Sequence, residues 1–350
     1  MIVKFLKTIF LFLVIFLVAA AAISLHYYFP GIFSNIQRRN TANEGIIWGV
    51  AFSQAQAEYF KLDWRKTYKA MIDELGVKNI KIHTAWDKIE VKKDKYFFAD
   101  IDWQIKQAQE KNVKIIYVVG LKTGRWPECH IPGWAQNLPQ EQQQAELLEY
   151  LTAVVLRYKN SKAIINWQVE NEPLFRFGEC PAWYYKNDKF LKTEVNLVKS
   201  LDSRPIIVSD SGEQSTWFSA AKVGDIVGIT MYRNAWVGLA DTFGFNFYSF
   251  LNPAVYRNKA EVIKNEFGKD VVCIELQAEP WASEPLLDAP MEEQLKSMNP
   301  EMFKENIQFA KETGLGAFYF WGVEWWYWMK ESQNNPQIWD EAKNLFTTQD

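Results

Sequence analysis

Short apolar runs alternate along this chain with longer stretches in which charged residues return on one face. The apolar runs are Ile46–Phe52, Val77–His83, Val113–Val119, Ala163–Val169, Pro205–Ser209, Asp225–Met231, Asp270–Leu276 and Gly316–Trp321. Runs of this length bounded by turn residues predict strands buried on both faces. Between most of them the period is helical, over Trp64–Leu75, Ile101–Lys111, Gln140–Tyr158, Asp188–Leu201, Pro253–Phe267 and Glu301–Thr313. Gly76, Gly268 and Gly314 close three of these stretches, as C-terminal caps do. Strands that alternate with helices imply a parallel sheet. Eight such units in about 300 residues predict an α/β fold of the (β/α)8 TIM-barrel type. A doubly wound open sheet is the rival, but its Gly-rich first turn is missing. The first turn here reads Phe52-Ser53-Gln54-Ala55-Gln56.

The N-terminus follows a different pattern. Lys4 and Lys7 precede an uncharged run from Thr8 to Leu25, and the next basic residues are Arg38 and Arg39. The run is about 18 residues long, near the lower limit for a spanning helix and longer than a usual secretory h-region. Tyr27, Tyr28 and Phe29 would form an interfacial belt behind it. Residues 1–30 therefore read as an uncleaved signal anchor, favoured over a signal peptide cut near Ala19–Ala22. Residues 31–44 read as a polar linker, and residues 45–350 as the barrel domain. Either N-terminal reading exports the domain, so it is expected outside the cytoplasm, membrane-anchored or secreted. In that setting Cys129 and Cys180, both in Gly/Pro-rich loops, are candidates for a disulfide, while Cys273 sits in an apolar run as a core residue.

Composition narrows the function classes. The chain has 350 residues, 48% hydrophobic, and a formal charge of −3, so it lacks the basic excess that nucleic-acid binding uses. It has three His, of which His26 belongs to the N-terminal segment. His83 and His130 remain, without the paired spacing of a metal centre, and neither a metal nor a cofactor is expected. Oligomeric state leaves no mark in the sequence. Aromatic residues make up 16% of the chain, with 16 Trp. Most belong to the core, but Trp and Tyr near strand ends also suit the apolar faces of pyranose rings.

In a barrel, reactive groups sit at the C-terminal ends of strands. Strand four runs into Trp167-Gln168-Val169-Glu170-Asn171-Glu172-Pro173, and strand seven ends at Ile274-Glu275-Leu276-Gln277. Strand six ends at Met231-Tyr232-Arg233 and strand eight at Phe320-Trp321-Gly322. Two carboxylic acids, a carboxamide, a phenol and an indole thus converge on one mouth. A pair of carboxyls can protonate a leaving oxygen and attack an anomeric carbon, which is what cleavage of a sugar acetal needs.

With these residues the chain resembles the clan-A retaining glycoside hydrolases, whose catalytic Glu residues follow strands four and seven. Asn171-Glu172-Pro173 matches that clan's acid/base motif and Glu275 its nucleophile position. Tyr232 matches the strand-six aromatic beside the nucleophile, and Trp321 the platform under the sugar. The segment Ala85-Trp86-Asp87-Lys88-Ile89-Glu90 resembles the region after strand two in cellulase-like and β-galactosidase-like members. The resemblance implies Glu172 and Glu275 as catalytic residues, with Asn171, Tyr232, Trp321, Trp86 and His83 as substrate contacts. Many members carry Arg at the end of strand two and His after strand three. Here those places read Lys81-Ile82-His83-Thr84 and Gly120-Leu121-Lys122-Thr123-Gly124, with His83 and Lys122 as the candidates for the roles.

In a retaining enzyme the two carboxyls stand about 5–5.5 Å apart. At that distance like charges repel by about 3 kcal/mol at an effective dielectric near 20. One therefore stays charged while the other keeps its proton, Glu275 as nucleophile and Glu172 as acid/base. Glu279 competes with Glu275 but lies beyond the strand end. Glu170 is expected to orient loops or pair with a base, and Asp210 and Glu324 are lesser candidates for substrate contact. The aromatic stretch Asn234–Asn252 has three readings: packing, ranked first, a lid, or a surface resting on the membrane. The expected function is a retaining β-glycosidase acting on an extracytoplasmic carbohydrate. A glycan-binding barrel without activity and a transglycosylase are the alternatives.

Overall fold

The structure, a computed structural model, describes residue 16 and residues 45–347 other than 186, 241, 242, 247, 249 and 283. The anchor predicted over residues 1–30 and the linker over 31–44 lie outside the described residues, Phe16 excepted. Among the described residues no helix is long and apolar enough to cross a membrane.

Eight parallel strands close into a barrel: β1 (Ile47–Phe52), β2 (Asn79–His83), β3 (Lys114–Val119), β4 (Ile164–Val169), β5 (Ile206–Asp210), β6 (Ile226–Met231), β9 (Val271–Gln277) and β10 (Ala317–Trp321). They pair in the order β1-β10-β9-β6-β5-β4-β3-β2. Every strand lies within two residues of its predicted run. The six predicted helices are also present, at Trp64–Asp73, Ala99–Glu110, Gln140–Tyr158, Asp188–Leu201, Pro253–Phe267 and Pro300–Thr313. Val323–Ser332 is a further helix whose Val323 to Met329 segment is buried throughout. A helix buried on every side over most of its length shows little amphipathic period, so the pattern could not reveal it.

The core has two parts. A large apolar shell lies between strands and helices, and a small cluster of Ile116, Ile207, Ile274, Ala317 and Tyr319 gathers residues from β3, β5, β9 and β10. β3 and β5 are not adjacent in the ladder, so these side chains meet inside the barrel and form its floor.

The strands that carry the carboxyl pair each hold an extra residue. Between β3 and β4 the register passes from Ile115 opposite Ile164 to Ile116 opposite Asn166. On β9 it passes from Ile229 opposite Cys273 to Thr230 opposite Glu275, and the β10 side shifts at the same place. An added residue reverses which face the following side chains occupy. On β9 it turns Glu275 toward the barrel mouth, directly above the Ile274 floor.

The stretch after β6 forms an antiparallel hairpin, β7 (Trp236–Ala240) with β8 (Phe243–Asn246). Most of the aromatic side chains predicted to be informative here, those of Trp236, Phe243, Phe245 and Phe247, lie outside the described ones. Of its flanks, Leu251 is buried and Phe250 exposed.

Candidate active site

Above the apolar floor the inward-facing strand residues become polar, and a cavity of about 330 Å³ opens at the C-terminal mouth. Asn171, Glu172, Thr230, Tyr232, Glu275 and Trp321 all line it. Sequence reasoning therefore placed its central residues in one place, and β9 supplies the second carboxyl opposite the first.

Glu275 is held at both oxygens. Lys81 donates to Oε1 at 2.9 Å and the Tyr232 hydroxyl to Oε2 at 3.0 Å. Lys81 is fully buried, and burial lowers its pKa although Glu275 pulls it back. Its ammonium also donates to Asn171 Oδ1 at 3.2 Å. Lys81 thus reaches the nucleophile from β2, whereas His83 and Lys122, the candidates for the strand-two Arg and the His after strand three, bond to backbone carbonyls. Lys81 was visible as a polar residue alternating with Ile80 and Ile82, the pattern of a strand facing a polar barrel mouth.

Glu172 is engaged differently. Its backbone has a left-handed φ of 46°, and its N–H donates to Ser209 Oγ at 2.8 Å. Among the described residues the carboxyl accepts one contact, from Thr230 Oγ1 at 3.2 Å. Burial raises its pKa well above the ordinary carboxyl value, and the Glu275 charge adds to the effect. A left-handed conformation at a bulky residue costs about 1 kcal/mol or more and tends to mark functional sites. Asn171 Oδ1 is taken by Lys81 and by Gln168 Nε2 at 2.9 Å, which leaves the Asn171 amide donors to face a ligand.

Other expected residues sit elsewhere. Trp86 is a correction: its indole is fully buried, donates to Glu90 at 2.8 Å and stacks on Tyr150, so it does not reach the cavity. His83 donates from Nδ1 to the Thr123 carbonyl in a short contact and packs edge-on to Trp321, outside the lining. Burial drives its pKa well below the ordinary imidazole value. Lys122 clamps the loop after β4 by donating to the carbonyls of Glu172 and Phe175. Asp210 closes a local turn with Ser211 and Ser215. Glu324 and the competitor Glu279 both pair with Arg125, which lies 4.0 Å above the Trp321 ring. Burial pushes Glu324 up to about 7.

Glu170 fulfils its expected loop-orienting role. It accepts from the amides of Leu121 and Lys122, each at 2.7 Å, and from the Tyr184 hydroxyl at 2.6 Å. Gly120 makes room for it: a Cβ there would lie 2.4 Å from Glu170 Oε1. Cys129 and Cys180 form the expected disulfide, with Cα atoms 5.2 Å apart, and join the loops after β3 and β4.

Sequence reasoning did not single out Arg125, Glu128 or Glu213, which also line the cavity. Glu213 accepts from the Tyr232 amide and the Tyr256 hydroxyl at 2.6 and 3.1 Å, and burial raises its pKa. The outer wall is aromatic. Trp126, Phe175, Phe177 and Trp281 form a collar with neighbouring ring centroids 6.2 to 6.3 Å apart. Such rings offer faces to the C–H surfaces of sugars.

Barrel, strand-end carboxyls and aromatic collar are together the features of the clan-A barrel glycoside hydrolases, and the chain resembles that class in both sequence and fold. Residues 37–202 match the family model described as Glycosyl hydrolase family 10. The chain is 28% identical over 174 residues to Beta-galactosidase BgaA of Clostridium cellulovorans, covering 44% of this chain and 26% of that protein. It thus spans about a quarter of the length of this curated relative. Native xylanase 10B from Thermotoga maritima superposes with a TM-score of 0.58 at 16% identity, covering 86% of this chain and 95% of that one. Xylanase 10B from Thermotoga petrophila RKU-1, in complex with xylobiose, superposes at 0.54 with 18% identity, covering 79% and 82%. The family match takes in Glu172 but ends before Glu275, so the partner carboxyl rests on geometry.

Proposed function

We propose that the chain is a retaining β-glycoside hydrolase acting on an extracytoplasmic glycan or oligosaccharide. The observation that carries the reading is the asymmetry of the carboxyl pair. Glu275 is fixed by donors from Lys81 and Tyr232, while Glu172 faces the same cavity with a raised pKa. Two donors orient one carboxylate for attack on the anomeric carbon, and burial beside that charge keeps the proton on the other.

In the first step Glu275 forms a bond to the anomeric carbon as the glycosidic bond breaks. Glu172 delivers its proton to the departing oxygen. Esterification removes the charge on Glu275, so the pKa of Glu172 falls and it becomes a base. It then takes a proton from water, whose oxygen displaces Glu275 and releases the sugar with its original configuration. Lys81 and Tyr232 accompany the nucleophile through both steps, and Asn171 is placed to donate to a hydroxyl of the bound ring. The printed names of the relatives make β-xylosides and β-galactosides the first substrates to try. Two features support export: the apolar N-terminal run and the Cys129–Cys180 bond, since disulfides persist outside the reducing cytoplasm.

Proton NMR of the first product tests the reading. The β-anomer should appear first, with the α-anomer growing only by mutarotation. If the α-anomer leads, the double displacement is wrong. A disaccharide appearing in place of free sugar would indicate transglycosylation by the same pair.

A further inference from the structure

We propose that Glu128 is a substrate-binding residue of this cavity, placed to accept hydrogen bonds from hydroxyl groups of the bound sugar. The proposal rests on the glycosidase reading above. Glu128 comes from the loop after β3, lines the cavity and is only 7% exposed. Among the described residues, no side chain or amide donates to its carboxyl. Every other part of the residue is fixed. Its φ is 76°, its N–H donates to the Arg125 carbonyl at 2.6 Å and its carbonyl accepts from Thr123 at 3.1 Å. The next residue, Cys129, is bonded to Cys180 on the opposing loop. Gly178 of that loop has a φ of 94°, and a Cβ there would lie 2.5 Å from Glu128 Cβ and 2.7 Å from Cγ. Two loops are therefore shaped around the stem of one glutamate, and its head group is left open to the cavity.

A nearly buried carboxyl without donors is a cost to the fold. The nearby buried acids avoid it: Glu170 accepts from two amides and a phenol, and Glu213 from an amide and a phenol. Glu128 has no such relief, and burial pushes it up to about 7. Lys122, Lys81 and Arg125 oppose that rise while Glu275 adds to it. Donors from a ligand would offset the burial, and two neighbouring sugar hydroxyls fit a carboxylate's paired oxygens. The rest of the lining favours the same chemistry. Four carboxyl groups, those of Glu128, Glu172, Glu213 and Glu275, line it, and the lining cation Arg125 is already engaged by Glu279 and Glu324. This cavity suits a neutral, hydroxyl-rich sugar better than a uronic acid.

The test uses Glu128→Ala and Glu128→Gln in the full chain. The substrate is whichever of 4-nitrophenyl β-xyloside and β-galactoside turns over faster, with its monodeoxy analogues. For the parent substrate, kcat/KM of Glu128→Ala should fall about 10- to 100-fold, mostly through KM, because hydrogen bonds to charged groups have that weight. On the analogues that lack one of the two partner hydroxyls, the difference between variant and unaltered chain should shrink, while on the others it should persist. Melting temperatures should be equal or higher in Glu128→Gln, because an unpartnered buried acid is removed. Unchanged kcat/KM, or the same loss on every analogue, would overturn the proposal. Labelling of Glu275 by the matching 2-deoxy-2-fluoro glycoside should persist in both variants. Absence of label in the unaltered chain would instead overturn the glycosidase reading, and this proposal with it.

Discussion

The two sides of the β4 C-terminal end make an instructive contrast. Glu170 and Glu172 stand two residues apart, both buried, both with positive φ, both with pKa values raised by burial. On the outward side Glu170 is saturated: two amides and Tyr184 donate to it, and Glu194 stands beside it as a second buried acid with a raised pKa. On the inward side Glu172 has, among the described residues, one contact from Thr230 and an open cavity before it. Burial and a raised pKa therefore do not distinguish a reactive acid from a structural one here. Hydrogen-bonding capacity left free toward a cavity does. Position separates Glu275 from Glu279: both are ion-paired, but Glu275 lines the cavity while Glu279, paired with Arg125, lies outside its lining.

The largest effect expected from breaking this contrast is at the nucleophile. Glu275→Gln should lower kcat on an aryl β-glycoside about 10⁴-fold or more, on the scale of losing a central member of a catalytic unit. Steady-state kinetics at saturating substrate reads this directly. Glu172→Ala should cost about 10²- to 10⁴-fold where the leaving group needs a proton. With a dinitrophenyl leaving group the first step should survive, and azide should restore turnover as a glycosyl azide, seen by chromatography. Glu170→Ala should behave in the opposite manner. It strips acceptors from the buried amides of Leu121 and Lys122, at about 1–3 kcal/mol for each orphaned donor, so its main signature should be a lowered denaturation midpoint.

The pH dependence sharpens the contrast further. Glu172 must be protonated to act as an acid, so kcat/KM should fall as pH rises through its raised pKa. Stability should fall in the same direction. Glu128 and Glu324 are each pushed up to about 7, so between the ordinary carboxyl value and that pH the folded chain binds more protons than the unfolded chain. Their stabilising contribution is complete below the unfolded value and is lost as pH rises through about 7. Melting curves between pH 5 and 8 should show a decline of roughly a few degrees.

Much of this site was legible because it obeys local periodicity. The alternating runs placed strand ends, strand ends placed Glu172 and Glu275, and Tyr232 and Trp321 followed by counting. The sequence does not display what depends on contacts between distant segments. Lys81 and Glu275 are separated by 194 positions, and their pairing appears only when β2 and β9 face each other across the barrel. Trp86 misled because an indole in a loop after a strand has the same letter whether it meets sugar or, as here, Glu90 and Tyr150. Glu128 was hidden for the opposite reason. Its neighbour Cys129 drew the reading toward the disulfide, while its carboxyl is defined by the lack of donors among the described residues.

The central claim is that Glu275, among several buried acids, is the one poised to attack. Incubating the full chain with 2-deoxy-2-fluoro β-xyloside and β-galactoside bearing dinitrophenyl leaving groups, then mapping the adduct by peptide mass spectrometry, tests it most directly. One covalent label per chain on the peptide containing Glu275, abolished in Glu275→Gln, is the predicted result. A label on Glu279 or Glu172 would contradict the account.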